Sequence, residues 1–382
     1  MPFAHKTIAY IVNADWYFVL HWLARARAAR DRGLSVHVLS ALTDARHQRT
    51  LAEHDIVCHP ITLDRKGMNP LVEAATLRQI HAILRALNPD LVHCITVKPN
   101  ILGGLATRWL GIKTILNVTG LGLAFSGRTG RAVIARQFVR PFYRLAANRP
   151  DCRIVFENQD DSERFSRLGI GRPGSHVVIP GSGVDTEMFA WTEEPDCQEP
   201  VVLFAGRLLR DKGLADLVTA GDILRRRGLR FRLDVAGIVD EKSQNAIPLS
   251  QIEGWHAEGR INWLGTRHDM AAVLAGAMIV ALPSFYGEGV PRVLIEAAAV
   301  GRPLVATSIS GCRDIVRHGE NGLLVRPNRP DELALALETL LRDRQLRQRF
   351  AFAGRRLVEN IFGQERVIAA MNAVYAAMLG EF

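Results

Sequence analysis

No two of the five cysteines, Cys58, Cys94, Cys152, Cys197 and Cys312, lie close together in the chain. There is no CxxC and no metal-ligand spacing, so neither a zinc site nor a disulfide framework is expected. Isolated thiols in odd number fit a reduced, cytosolic compartment. A phosphate loop of the pattern GxxxxGK[ST] is missing, which argues against phosphoryl transfer from ATP. No secretory leader is expected, because Lys6 is followed at once by the strand-like TIAYIV. The longest uncharged run, Met270 to Gly287, approaches a membrane span in length, yet Pro283, Ser284 and Gly287 break it into a short helix and a strand. No short-period repeat is visible.

What is there is a chain of 382 residues that is 48% hydrophobic, enough for two or three ordered domains with cores of their own. The formal net charge of +9 asks for an acidic partner: a phosphate ligand, nucleic acid or an anionic membrane. Strand-like and helix-like segments alternate from Thr7 to Ile179, with Tyr17–Arg32 read as one helix. They alternate again from Val201 to Val325, and three helices then close the chain. Such alternation predicts parallel βαβ units in doubly wound sheets, an α/β fold. Between the two halves, Pro180 to Pro200 holds six acidic residues and no basic one, and reads as a linker. The expected domains are therefore 1–180, a linker 181–200, 201–363, and a last helix, 364–382, that returns to the first domain.

Ligands of open α/β sheets bind at the carboxyl ends of the strands, so the turns after strands hold the candidates. AGRLLRDKG follows the first strand of the second half, and Arg207 and Lys212 flank that turn. A forked guanidinium and a compact ammonium beside a helix N-terminus suit a diphosphate; two solvated loop cations would look the same. PSFYGEGVPRVLIEAAAVGRPLVAT reads as loop, helix and strand. Glu288 stands in the loop between Gly287 and Gly289, and Glu296 in the second turn of a helix that begins at Pro291. A carboxylate can accept both hydroxyls of a vicinal diol such as ribose. Both acids can equally serve the helix dipole. A glycosidase pair is the weaker reading, because Glu296 lies on a helix that runs away from the loop.

FAGRLLRDKG, the PSFYGEGVPRVLIEAAAVGRPLVAT stretch and HGENGLLVRPNRPDELALAL together resemble the retaining GT-B glycosyltransferases of family 4, over nearly all of the second half. The resemblance implies two Rossmann-like domains facing a cleft, with a nucleotide-sugar donor, most simply UDP-linked. It implies that Arg207 and Lys212 hold the donor diphosphate, Glu296 the ribose, and Glu288 the sugar region. Gly289 and Val290 would line the donor site. GTRHD, Gly265 to Asp269 with Arg267, matches the segment that reads the base. No divalent metal and no other cofactor is implied, since the two cations take that role.

In the first half, HCITVKPNILGGLATRWLG, ILNVTGLG and IVFENQDD resemble the PglA-like and CapM-like transferases of bacterial capsule, O-antigen and glycan-lipid assembly. Their acceptors are commonly saccharides linked to polyprenyl diphosphate. The chain departs from the family in two places. NADWYFVLH replaces the Gly-Gly loop after the first strand, and the His or Asp usual after the strand ending NVTGLG is missing, so no side-chain base carries over. Acceptor candidates are His21, Lys98, Asn100, Asn117, Thr119 and Gly120; a packed His21 and a capped helix start at Lys98 and Asn100 fit those residues as well.

A basic stretch stands apart from the family. Thr107 to Pro150 holds eight Lys or Arg and no acid. Arg136, Arg140 and Arg144 recur every four residues among Phe138, Val139, Phe142 and Tyr143. That pattern suits an anionic membrane surface, or simply a solvated face; no nucleic-acid motif accompanies it. The expectation is a retaining hexosyl- or N-acetylhexosaminyltransferase, cytoplasmic and peripheral on the inner face of the membrane. A UDP-sugar epimerase and a non-catalytic sugar-nucleotide-binding protein are the competing readings.

Overall fold

The computed structural model describes residues 3, 5–64, 69–120, 130–240, 243, 245–287 and 289–380; the side chains of 130–136 and 138 lie outside the description too. The chain divides into two compact units, Met1–Ser182 with Arg366–Phe382, and Gly183–Glu365.

The first unit carries strands β1 (Thr7–Val12), β2 (Ser35–Ser40), β3 (Val57–Pro60), β4 (Leu91–Ile95), β5 (Lys113–Val118), β6 (Cys152–Phe156) and β7 (His176–Val178), in the order β3-β2-β1-β4-β5-β6-β7. Every neighbouring pair is parallel. Parallel strands need crossover helices, which cover both faces and leave the strands buried. One face packs Ala26 and Ala29 of helix Leu23–Asp31 with Met371 and Tyr375 of helix Gln364–Leu379. The other packs Ile80, Leu102, Tyr143 and Phe165, one from each of helices Pro70–Leu87, Val97–Leu110, Gly130–Ala147 and Gln159–Arg167.

The last helix is fixed to this sheet by a polar contact inside its apolar face. The Tyr375 hydroxyl lies 2.9 Å from the Tyr10 hydroxyl and 2.9 Å from His93 Nδ1. Burial, aided by the nearby Arg25 charge, depresses His93 to about 3, so its ring is neutral and can accept.

The expected helix Tyr17–Arg32 is two helices, Asp15–His21 and Leu23–Asp31. The backbone leaves helical geometry at Trp22 (φ −123°), whose buried indole packs against Tyr10 and His93 under the Arg25 guanidinium.

The second unit carries β8 (Val201–Ala205), β9 (Arg232–Ala236), β10 (Asn262–Gly265), β11 (Ile279–Leu282), β12 (Leu304–Thr307) and β13 (Gly322–Val325), in the order β10-β9-β8-β11-β12-β13. All its pairings are parallel. From Gly183 onward the segment read as a linker belongs to this unit. Val184 and Phe189 lie in its core, Arg347 holds Glu194 through two 2.8 Å hydrogen bonds, and Arg302 donates to the carbonyls of Thr192 and Glu193. Acidic composition looked like a solvated tether because the arginines that receive it come more than a hundred residues later.

Strand order reverses between β1 and β4 in the first unit and between β8 and β11 in the second. These are the switch points at which open α/β sheets form crevices.

Candidate functional site

At the second switch point two strand ends are fastened together. After β8 the chain passes Gly206, exposed Arg207 and buried Leu208 and Leu209, makes a 3-10 turn at Arg210–Lys212, and enters helix Leu214–Arg226 through Gly213. After β11 comes the loop that starts at Pro283. The Phe285 amide donates to the Asp211 carbonyl at 3.0 Å, and Ser284 Oγ to the same oxygen at 3.1 Å. Thr307, at the end of β12, donates through its hydroxyl to the Ser284 carbonyl. Gly213 is left-handed (φ +77°), and a Cβ there would stand 2.0 Å from the Pro283 carbonyl oxygen. Half-buried Lys212 and the glycine-bearing loop are thus one rigid piece.

Gly213→Ala should open this joint. Left-handed backbone alone costs a non-glycine residue about 1–2 kcal/mol, and the clash with backbone adds to it. The measurement is a lower melting temperature together with weaker nucleotide binding.

Beside it, the ends of β8, β9 and β10 form a backbone shelf. The Gly206 amide donates to Ala236 (3.0 Å), Gly237 to Gly265 (2.8 Å) and Leu208 to Ile238 (3.0 Å). A Cβ on Gly237 would lie 1.9 Å from the Gly206 carbonyl oxygen. Arg207 reaches solvent on this edge with no ion pair or side-chain hydrogen bond among the described residues. Arg267 instead turns its fork to its own loop, 2.8 Å from Asp269 Oδ1, and that hydrogen bond holds the Asp269 carboxyl below its usual range.

Helix Arg292–Val300 starts after Pro291 (φ −64°) and stops at left-handed Gly301 (φ +85°). Its Leu294, Ile295 and Ala297 to Val300 are core residues. Glu296 is buried among them at 8% exposure, and Arg292, one turn earlier, donates from Nε to Oε1 at 2.7 Å. Burial pushes the Glu296 carboxyl up, and Arg292 offsets part of that. Gly289 and Val290 are buried just before the helix. Glu288 lies outside the described residues, so its pairing with Glu296 remains a spacing in sequence.

The acceptor candidates do not form one group. His21, half-buried, packs tilted against Tyr17 with ring centroids 4.5 Å apart. Lys98 Nζ is 2.5 Å from both Glu73 Oε1 and the Asp64 carbonyl, so its charge is already paired. Asn100 has no exposed surface and donates to the Asn117 carbonyl (2.9 Å) and the Tyr143 hydroxyl (3.0 Å). It is an internal brace between the β4 and β5 crossovers, not a residue open to an acceptor. Asn117 is buried at 2% exposure. Thr119 and Gly120 (φ +132°) are half-buried at the end of β5.

NADWYFVLH and HCITVKPN mark the ends of β1 and β4 in the sequence, but not the tie between them: Asn13 Nδ2 donates to Thr96 Oγ1 at 2.5 Å, and Thr96 holds φ +77°. Asp15 was also missed: fully buried, it accepts from the amides of Trp16 (2.8 Å) and Thr43 (2.9 Å). Backbone angles leave no trace in composition, and Asp15 is not a cap: Ala14 holds that position, and the Asp15 carboxylate instead ties the helix start to Thr43 after β2.

Of the supposed membrane triad, Arg140 and Arg144 donate from Nε to the carbonyls of Leu168 (2.9 Å) and Gly169 (3.0 Å), closing the end of helix Gln159–Arg167. The Arg136 side chain lies outside the described residues. Among the described residues no three or more His, Cys, Asp or Glu gather as a metal-holding group, and no helix is long and apolar enough to cross a membrane.

Comparison with known proteins gives these edges a context. The family described as "Glycosyl transferases group 1" matches residues 185–357, and "Glycosyl transferase 4-like" matches residues 7–156. The chain is 25% identical over 338 residues to the N,N'-diacetylbacillosaminyl-diphospho-undecaprenol alpha-1,3-N-acetylgalactosaminyltransferase of Campylobacter jejuni, covering 85% of this chain and 86% of that protein. It is 24% identical to the UDP-Gal:alpha-D-GlcNAc-diphosphoundecaprenol alpha-1,3-galactosyltransferase of Escherichia coli, over 74% of each. Anabaena HepE, solved with UDP and glucose, superposes with a TM-score of 0.80 at 21% identity, over 98% of this chain and 100% of that one. One family therefore falls on each unit, both are glycosyl transferases, and the fold is theirs: the chain belongs to the GT-B glycosyltransferases.

Proposed function

We propose that the protein transfers a hexosyl or N-acetylhexosaminyl unit from a UDP-sugar to a hydroxyl of a saccharide carried on polyprenyl diphosphate, with retention, in bacterial surface-glycan assembly. The observation that carries the donor half is the joint between the Lys212 turn and the Pro283 loop at a switch point, with Arg207 exposed beside it. Cations fixed at a strand end stabilise the charge that grows on a departing diphosphate. The Campylobacter and Escherichia relatives, whose names specify diphospho-undecaprenol acceptors, support the acceptor half.

In this reading Arg207 and Lys212 hold the diphosphate, Glu296 accepts the ribose hydroxyls, and Glu288 faces the donor sugar. The backbone of the Arg267 loop meets the base, and the amides at Gly289 and Val290 face the donor. As the bond from the anomeric carbon to the diphosphate breaks, the acceptor oxygen bonds on the same face. Its proton passes to the departing phosphate oxygen, so no side-chain base is required, and UDP leaves. His21, Thr119 and Gly120 remain acceptor candidates. With two cations on the diphosphate no divalent metal is needed, and a lipid-linked acceptor places the work at the cytoplasmic face of a membrane.

The test is a panel of radiolabelled UDP-sugars incubated with extracted bacterial lipid, with and without EDTA. Label in a lipid product, at the same rate with chelator, is the expected result. A rate abolished by EDTA would sink the metal-free reading. Label confined to epimerised nucleotide sugar would mean an epimerase, and UDP binding without turnover a binding protein.

A further inference from the structure

Three neighbouring helices on one face of the first sheet have an unusual charge balance. Helix Pro70–Leu87 packs along Val97–Leu110, which packs along Gly130–Ala147. Their sequences hold two basic residues, two and four, against the single acid Glu73. Glu73 is paired with Lys98, and among the described side chains Arg78, Arg85, Arg108, Arg140 and Arg144 have no ion pair with a carboxylate. The fourth helix on this face, Gln159–Arg167, is acidic and basic in near balance, so the excess is confined to the three.

The same layer also shows apolar side chains to water. Leu71 is 79% exposed, Trp109 62%, Phe142 52% and Leu145 45%. These are spread along the layer from the start of its first helix to the end of its third, among exposed Arg78, Arg85, Arg108 and Arg144. Arg108 and Arg144 are steadied at one nitrogen by the carbonyls of Leu145 and Gly169; a guanidinium has further donors to offer.

We propose that this helical face is a docking surface for an anionic lipid bilayer, on which the first unit lies with its helix axes along the membrane. Arginines among exposed aromatic and aliphatic side chains match an interface in which phosphates lie above acyl chains. Nucleic acid would answer the charge but leave Leu71, Trp109, Phe142 and Leu145 in water. The geometry also serves the reaction. The carboxyl end of β4 opens through Thr96 directly into helix Val97–Leu110 of this layer, so that strand end lies at the rim of the docked face, where an acceptor anchored in the same bilayer would meet it. The surface widens the Arg136, Arg140, Arg144 reading, and moves its weight to residues that do not close a neighbouring helix.

The proposal rests on the lipid-linked acceptor for its purpose but not for its test, which uses the whole chain without donor or acceptor. Co-sedimentation with vesicles of phosphatidylglycerol and phosphatidylcholine should be salt-sensitive, and should be lost on phosphatidylcholine alone. Among the described residues, neither Arg78 nor Arg85 makes a side-chain hydrogen bond or ion pair beyond its own helix. R78Q and R85Q should therefore each weaken sedimentation roughly fivefold. W109A and F142A should weaken it further at constant salt. Equal sedimentation with both vesicle types, or unchanged binding in all four variants, overturns the inference. So does tighter binding to a single- or double-stranded oligonucleotide that the two aromatic changes leave intact. Transfer to a detergent-solubilised acceptor is unaffected in these variants if they are folded. Loss of transfer by the unaltered protein would count against the proposed function instead.

Discussion

Lys212→Ala is expected to lower kcat by about a hundred- to a thousandfold, the cost of removing one fixed group that meets developing charge in a transition state. Arg207→Ala should cost about the same, and the double variant less than the product if, as proposed, the two share one diphosphate. The fold should tolerate either change. Arg207 is exposed and makes no side-chain hydrogen bond or ion pair among the described residues, and Lys212 is only half-buried at the end of a three-residue turn. Melting temperature should therefore stay within a few degrees of the parent while turnover collapses. Lysine in place of Arg207 keeps charge but loses the planar fork, and should recover only part of the rate. Initial rates at saturating donor and acceptor, with thermal unfolding alongside, decide it. Near-parental turnover in Lys212→Ala would remove the diphosphate role.

Much of this site could be read before any coordinates. Strands of β-branched and aliphatic residues announce the sheets, and the Gly206–Arg207 step after β8 announces the carboxyl edge of the second. Gly301 closes the Glu296 helix as sequence signals say it should, while Pro291, expected as its first residue, stands just before it in extended backbone. What stayed hidden follows from how local the signals are. Helix Ala45–Glu53 has one buried anchor, Leu51, and so no helical period to notice. Helix Leu249–Ala257 has two, Ile252 and Trp255. The Asp211–Ser284 tie spans 73 residues of sequence, and no local pattern predicts it.

Asn100 failed for a different reason. A polar residue at the start of a helix near the ligand edge looks available, but its side chain points inward to Asn117 and Tyr143. Burial decides such cases, and a single Asn does not declare it. The Arg292–Glu296 pair went unread, although four-residue spacing on a helix is an ion-pair signal.

Glu296→Ala carries the sharpest contrast between stability and function. If Glu296 accepts two ribose hydroxyls, as proposed, removing its carboxylate should weaken UDP binding about ten- to a hundredfold, by the size of hydrogen bonds to charged groups. Stability should move the other way. Burial raises the folded Glu296 carboxyl above its unfolded value, more than Arg292 compensates. A carboxyl raised on folding favours the folded state most below its unfolded pKa. That advantage is lost as pH rises through the folded value, so at neutral pH the ionised group is a net cost. Glu296→Gln, which keeps the shape and removes the charge, should melt no lower than the parent at neutral pH while binding UDP more weakly. The difference in melting temperature should shrink in acid, where the parent's own carboxyl is protonated. UDP affinity of the parent should likewise fall with acid more steeply than that of Glu296→Gln. Calorimetric titration with UDP across pH, paired with thermal unfolding, reads both. A Gln variant that binds UDP normally makes Glu296 a structural acid, and one that unfolds readily while binding normally would place the value of the Arg292 pair in the fold.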